Sequence, residues 1–187
     1  VCSSSRASIV TGRYPHNTGA ADLHVPLPAG FATLPGQLKK SGYWCGHAGK
    51  WHIGKHPQKD YDVVNIGLEI NGDGGEQAWI PLLRDHPKDK PFLLWLASYD
   101  PHRRWMPDSE AEPHDPDQLE LPAPLVDTPT TRADLAAFYD EVQRLDRYVG
   151  KVVAELDRQG VLDETMILFI SDNGRPFPRA KRWITDE

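Results

Sequence analysis

Cys2 stands directly before three serines and Arg6 in the stretch CSSSRASIVTGR. A thiol at the start of a short helix meets the partial positive charge of unpaired backbone N–H groups, so this is a place for an anion beside a reactive sulfur. Further along, Lys50 and His52 share the glycine-rich stretch GHAGKWHIG, Asp100 and His102 share SYDPH, and Asp172 and Asn173 share SDNG, followed by Lys181. Asp172 and Asn173 offer hard oxygen ligands, which suit Ca²⁺ or Mg²⁺ rather than zinc. Arg6, Lys50 and Lys181 supply fixed positive charge for a tetrahedral oxyanion, and His52 and His102 titrate near neutrality and can move protons. Taken singly, each group has an ordinary structural reading: a lone cysteine is usually a small buried hydrophobe, and Asp-Asn-Gly is a common turn. Taken together they describe one site.

The elements that must position these residues can be read from the same chain. Ser3, Ser4 and Ser5 are N-cap candidates for a short helix through Ala7 to Val10, ended by Gly12, with Cys2 at its N-terminus. Thr33 caps a second short helix that runs to Lys40, with Pro35 in its first turn and Gly42 after it. The stretch YWCGHAGKWHIG predicts a strand ending in a glycine-rich loop, and residues 55–90, rich in glycine, lysine and proline, predict an exposed insertion or long loop. Phe92 to Ala97 and Met166 to Ile170 are apolar runs of strand length, expected to be buried in a parallel sheet. Between them, Met106 to Pro129 is acidic and proline-rich and predicts an irregular excursion. Leu135, Phe138, Val142, Leu145, Val149, Val152 and Leu156 then recur at helical spacing up to Gly160, an apolar stripe that faces a core. Strand, long helix, strand, with polar residues at the carboxyl ends of strands, predicts an α/β fold: a mainly parallel sheet flanked by helices, with ligands bound at that edge.

At 187 residues, 39% hydrophobic and 26% charged, the composition is that of one globular domain. A formal charge of -6 argues against a nucleic-acid binder, although Arg175, Arg179, Lys181 and Arg182 form a local basic group suited to an anion. No run of residues is apolar enough for a membrane span, and Cys2 and Cys45 make no disulfide scaffold. The chain opens inside what reads as a motif, and so is expected to be an internal piece of a longer protein.

These motifs resemble the sulfatase family, within the alkaline phosphatase superfamily. CSSSRASIVTGR resembles the first sulfatase signature, Cys-x-Pro-Ser-Arg followed five residues later by Thr-Gly-Arg, with Ser4 in the place of the proline. GYWCGHAGKWHIG resembles the second signature, and PFLLWLASYDPH and ILFISDNG are similar to the later strand-end blocks. Six fixed positions at roughly 5% each arise by chance at about 10⁻⁸ per start site. Thr128 to Ala137 and Ser171 to Pro178 are most similar to the heparan N-sulfatase (sulfamidase) branch, which favours arginine where this chain has Lys181.

The resemblance implies a sulfate ester or sulfamate hydrolase acting on a carbohydrate such as N-sulfoglucosamine, in glycosaminoglycan degradation. It implies that Cys2 is oxidised by a maturation enzyme to formylglycine, whose hydrate, bound to Ca²⁺ or Mg²⁺, attacks sulfur in line and then releases sulfate by collapse to the aldehyde. By position, Arg6 would stabilise the hydrate, Lys50 and Lys181 would hold sulfate oxygens, and His52 would assist the collapse. His102 would protonate the leaving group, and Cys2, Asp172 and Asn173 would ligate the metal. Residues 1–187 would then form part of a catalytic domain, without its first strand and its paired aspartates or its C-terminal part, and inactive alone. A periplasmic or secreted location is what the family suggests. Two other readings stay open: a formylglycine-dependent phosphonate or phosphate monoester hydrolase, and a non-catalytic module that binds sulfated glycans. A tyrosine-phosphatase loop is excluded by count, since Ser8 rather than Arg6 stands at the required spacing.

Overall fold

The computed structural model describes residues 2–178. Three strands, β1 (Trp44–Gly49), β2 (Val63–Asn65) and β3 (Phe92–Ala97), form a parallel sheet in the order β2-β1-β3. Gly46 lies opposite Val63 on one side, and Trp44 through Gly49 pair with Phe92 through Ala97 on the other. Because side chains alternate along a strand, the sheet buries two different sets. Cys45, Leu93 and Trp95 join Ala7 and Val10 of α1 (Cys2–Thr11), Leu38 of α2 (Leu34–Lys40), Trp51 and Tyr61 in one core. Trp44, Ala48, Leu94 and Leu96 face the other way, against Trp79 and Leu82 of α4 (Trp79–Asp85) and Leu145, Val149 and Val152 of α5 (Pro129–Arg158). Helices therefore cover both faces, which is the α/β arrangement the sequence predicts.

The local reasons for the helices are visible. Thr33 accepts the Gly36 N–H with its side chain, and Thr128 does the same for Thr131, with proline following each cap within two residues. Helix α1 begins at Cys2 itself, and Ser3 to Ser5 lie inside it rather than capping it. The Ser3 hydroxyl is engaged elsewhere: it accepts the His24 N–H at 2.9 Å and donates to the Asp22 carbonyl at 3.4 Å. Trp105, with Leu119, Leu121 and Leu125 of the acidic, proline-rich excursion, packs against Leu135 and Phe138 near the start of α5, and Phe177 joins them in a third core.

Two expectations are corrected. Residues 55–90 are not an exposed loop: they carry β2, α3 (Leu68–Asn71) and α4, with Tyr61, Trp79, Leu82 and Leu83 buried. The glycines and lysines that read as loop are turns between short elements, too short for periodicity to register. The run Met166 to Ile170 is not a buried strand. It pairs with no described strand, and its side chains face solvent, Met166 at 93% and Phe169 at 71% exposure. A strand needs a partner for its N–H and C=O groups, and the described residues place none beside it. Strand β3 is half-buried rather than buried, being the edge of the described sheet.

The end of β1 delivers Lys50 through a close backbone approach. Gly49 has φ +100°, a Cβ there would lie 1.8 Å from the Ala97 carbonyl oxygen, and the Lys50 N–H donates to that same oxygen at 2.8 Å. Gly49→Ala is expected to cost more than about 3 kcal/mol, through backbone strain and loss of the β1–β3 register. Gly150→Ala, mid-helix with open space around it, is expected to stabilise by about 0.5–1 kcal/mol. Urea unfolding of both variants beside the parent chain checks the pair.

Candidate functional site

Cys2 is the first residue of α1 and Arg6 lies one turn on, so both side chains emerge from one buried face of the helix. The Asn173 side-chain amide donates to Cys2 Sγ at 3.1 Å and to Asp172 Oδ1 at 2.5 Å. Arg6 Nη1 meets Asp172 Oδ2 at 3.3 Å, and Lys50 Nζ reaches the same oxygen at 3.7 Å. The rest of the Arg6 guanidinium is spoken for: Nε donates to the Trp51 carbonyl at 2.9 Å, Nη2 donates to the Lys50 carbonyl, and the group lies over the Trp95 ring, 4.6 Å from its centroid. Burial lowers the Arg6 pKa while Asp172 opposes the shift. Two cations face one carboxylate around Cys2, which leaves positive potential for an anion.

His52 follows on the same loop, half-buried and with φ +61°. Its Nε2 lies 2.7 Å from His24 Nδ1. Burial lowers its pKa, helped by His24, Lys50 and Arg6 and opposed by Asp172, so the ring is held neutral and able to accept a proton.

His102 is held by a different group, on the loop that leaves β3 at the same edge of the sheet. Its backbone N–H donates to Glu141 Oε2 at 2.9 Å, and its ring Nδ1 lies 2.5 Å from the Arg103 carbonyl. The other oxygen of Glu141 accepts the Met106 N–H at 2.7 Å. Arg144, one turn along α5, grips Asp100 with both arms of its guanidinium at 2.6 and 2.9 Å and donates to the Pro107 carbonyl at 2.9 Å. Ser98 completes the set by donating to Glu76 and accepting the Asp100 N–H at 2.8 Å. The loop carrying His102 is thus stapled to α5 by a buried network of three carboxylates and one guanidinium.

The structure therefore brings together Cys2, Arg6, Lys50, Asp172 and Asn173, places His52 beside them in charge contact with Lys50, Arg6 and Asp172, and hangs His102 from the neighbouring loop. Lys181 lies outside the described residues. Sequence reasoning missed His24, Glu76, Glu141 and Arg144. For Glu141 there was a signal: it falls on the apolar stripe of α5, three residues after Phe138 and four before Leu145, and is 1% exposed. A charged residue on a buried stripe must be paired.

As for a cation, Asp172 and Asn173 are donors of the right hardness for Ca²⁺ or Mg²⁺, but two residues do not fill a shell of six or more oxygens. Among the described residues there is no cluster of three or more His, Cys, Asp or Glu placed to hold a metal. The residues fit a cation in kind and supply part of its shell. Among the described residues no helix is long and apolar enough to cross a membrane.

The sulfatase family model matches residues 1–74 and 76–185. Human N-sulphoglucosamine sulphohydrolase is 34% identical over 215 residues, covering 96% of this chain and 42% of that protein. Human arylsulfatase A is 24% identical, covering 97% of this chain and 44% of its own length. The solved structure of a protein in complex with its substrate D-glucosamine-2-N,6-O-disulfate superimposes with a TM-score of 0.68 at 19% identity, covering 88% of this chain and 54% of that one, and shares the fold. The chain spans less than half the length of these two curated relatives.

The carboxylates under His102 carry a pH signature. Burial pushes Glu76 and Glu141 up to about 7, from an ordinary value of 4.5. A carboxylate whose folded pKa is raised contributes stability fully present below about pH 4.5 and lost as pH rises through about 7. The neutral histidines His47, His52 and His86, all lowered by burial, run the other way, losing stability as pH falls below 6.5. The clean measurement is thus a difference: Glu76→Gln is expected to gain stability relative to the parent as pH rises from 5 to 8. Denaturant midpoints taken across that range check it, and a pH-independent difference would assign Glu76 no titration there.

Proposed function

Since the chain belongs to the sulfatase family, we propose that the whole protein hydrolyses sulfate esters or N-sulfate groups on a carbohydrate such as N-sulfoglucosamine, with residues 1–187 forming part of its catalytic domain. The observation that carries this is the convergence of Cys2 with Asn173, 171 positions away in the chain, at 3.1 Å, inside a ring of Arg6, Lys50 and Asp172. The N-sulfated amino sugar is favoured by the names of two comparisons: the relative called N-sulphoglucosamine sulphohydrolase, and the solved structure that holds a glucosamine 2-N,6-O-disulfate.

In this reading Cys2 is converted by a maturation enzyme to formylglycine, which supplies a hydrated aldehyde as nucleophile and a leaving path for sulfate that a serine ester lacks. A Ca²⁺ or Mg²⁺ ion, held in part by Asp172 and Asn173, would supply Lewis acidity at that residue. The chain's own side chains do the rest. Lys50 is a point charge for a sulfate oxygen. Arg6 is fixed by two backbone carbonyls, Asp172 and the Trp95 face, so its positive charge is in place without reorganisation when the anion arrives. His52, kept neutral, accepts a proton. His102 stands on the loop from β3 as donor to the departing amine or alcohol, and Lys181 adds a further cation to the sulfate.

The test uses the whole protein, produced with a formylglycine-generating enzyme. Mass spectrometry of the peptide around Cys2 is expected to show the aldehyde, and N-sulfoglucosamine is expected to be turned over faster than aryl sulfates or phosphate monoesters. Cys2→Ala is expected to lose at least about 10³-fold in kcat, and chelation of divalent cations is expected to abolish turnover. Preferred turnover of phosphate or phosphonate esters would replace the substrate assignment. An unconverted thiol with glycan binding and no turnover would leave a binding module.

A further inference from the structure

The described residues contain two non-glycine positions with positive φ, His24 at 66° and His52 at 61°, and their rings face each other. His24 Nδ1 and His52 Nε2 are 2.7 Å apart, with ring centroids at 4.8 Å. At that separation one nitrogen carries the hydrogen and the other accepts it, because two N–H groups pointed at each other would clash. The pair can therefore hold one excess proton and no more.

The juxtaposition is built from both sides. The His24 N–H is held by Ser3 Oγ, on the residue after Cys2, and the Leu27 N–H donates to the Ile53 carbonyl at 3.1 Å, which zips residues 22–27 onto the loop of His52. The Trp51 indole N–H donates to the Gly54 carbonyl at 2.5 Å, fixing that loop from within. Left-handed backbone costs a non-glycine residue about 1–2 kcal/mol, and here it occurs twice, at the two residues whose rings meet. His24 is exposed while His52 is half-buried, so the pair runs from the site outward. The charged groups that act on His52 are Lys50 and Arg6, which disfavour an excess proton, and Asp172, which favours one.

We propose that His24 is a positioning residue for His52: it fixes which ring nitrogen of His52 carries the hydrogen and takes the proton that His52 collects onward to solvent. The inference rests on the sulfatase reading for the reaction it serves, and on geometry alone for the pairing. With Nε2 committed to His24, His52 exchanges protons with the site through Nδ1. A proton taken at Nδ1 makes His52 cationic, the Nε2 proton crosses to His24 Nδ1, and His24 Nε2 releases its own proton to water. The step moves protons only, and each ring ends neutral in the alternate tautomer; exchange with water resets the pair.

Two measurements test it. The first needs no turnover. In histidine-¹⁵N-labelled chain, the two facing nitrogens are expected to read as one protonated and one bare, and His24→Gly, which removes the ring at a backbone position that glycine tolerates, is expected to return His52 to a mixture of tautomers. The second uses the whole protein: His24→Gly is expected to lower kcat by about ten- to a hundredfold with KM within twofold of the parent, and free imidazole is expected to restore part of the loss. His24→Asn keeps a hydrogen-bonding group near the Nδ1 position but cannot pass a proton, and is expected to restore the His52 tautomer without restoring kcat. Unchanged His52 nitrogen shifts in His24→Gly, or unchanged kcat in an active protein, would overturn the proposal. A parent protein with the paired rings and no sulfatase turnover would overturn the functional reading and leave the pairing intact.

Discussion

The buried Arg6 guanidinium is the interaction on which the site depends. It is 4% exposed and ties three separate stretches of chain together: its own helix α1, the loop after β1 through the Lys50 and Trp51 carbonyls, and the loop at 172 through Asp172. Burying such a group is costly unless every donor finds a partner, and a partner removed leaves an unpaired charge in the core. The carbonyls of Lys50 and Trp51 can reach Arg6 only because Gly49 lets β1 turn away from β3 at a left-handed φ. The position of the Lys50 ammonium and the ring of His52 follows from that turn. Cys2 is placed by the same constraint, since it lies one helical turn from Arg6 on a helix that Arg6 holds against the sheet.

How much of this was legible in the sequence depends on the range of the interaction that set each feature. The strand at Trp44–Gly49, the strand at Phe92–Ala97 and the helix over residues 129–158 follow from local pattern: alternation, an apolar run, a Thr-Pro cap and a stripe at helical spacing. The place of Lys50 was legible because a glycine-flanked polar residue at a strand end belongs at the rim of a parallel sheet, whereas Cys2, Asp172 and Asn173 were grouped with it by their complementary chemistry and not by their elements. The run at Met166–Ile170 was misread for the opposite reason: its composition is that of a buried strand, but strand formation is a property of a pair, and composition says nothing about the partner. Residues 55–90 were misread because their elements, β2 at three residues, α3 at four and α4 at seven, each span no more than about two periods of their pattern. His24 gave no signal at all. Nothing in ADLHVP marks a left-handed histidine, and its partner lies 28 residues further on.

The sheet also explains why the two histidine-bearing loops stay independent. The segment with Lys50 and His52 leaves β1, and the segment with Asp100 and His102 leaves β3; the pairing of Gly49 with Ala97 brings their starting points side by side. From there each is fixed by its own polar network, one built on Arg6 and the other on Arg144. Separate anchoring lets one loop adjust without disturbing the cationic ring around Cys2, provided that each network is internally satisfied.

The charges of the two networks are opposite in balance. Around Cys2, Arg6 and Lys50 outnumber Asp172, whereas around Arg144 the carboxylates of Glu76, Asp100 and Glu141 outnumber a single guanidinium. If all three acids were ionised, the second network would add negative potential at the edge of the sheet that carries Lys50. Burial prevents this. By raising Glu76 and Glu141 to about 7, the fold keeps part of the acid neutral at neutral pH; burial raises Asp100 as well, against the opposing pull of Arg144. Glu141 is the acid that accepts from the backbone of the His102 loop, and protonation sheds its negative charge while an acceptor oxygen remains for that backbone. The same burial that makes these acids weak thus preserves both the loop's anchorage and the positive field around Cys2.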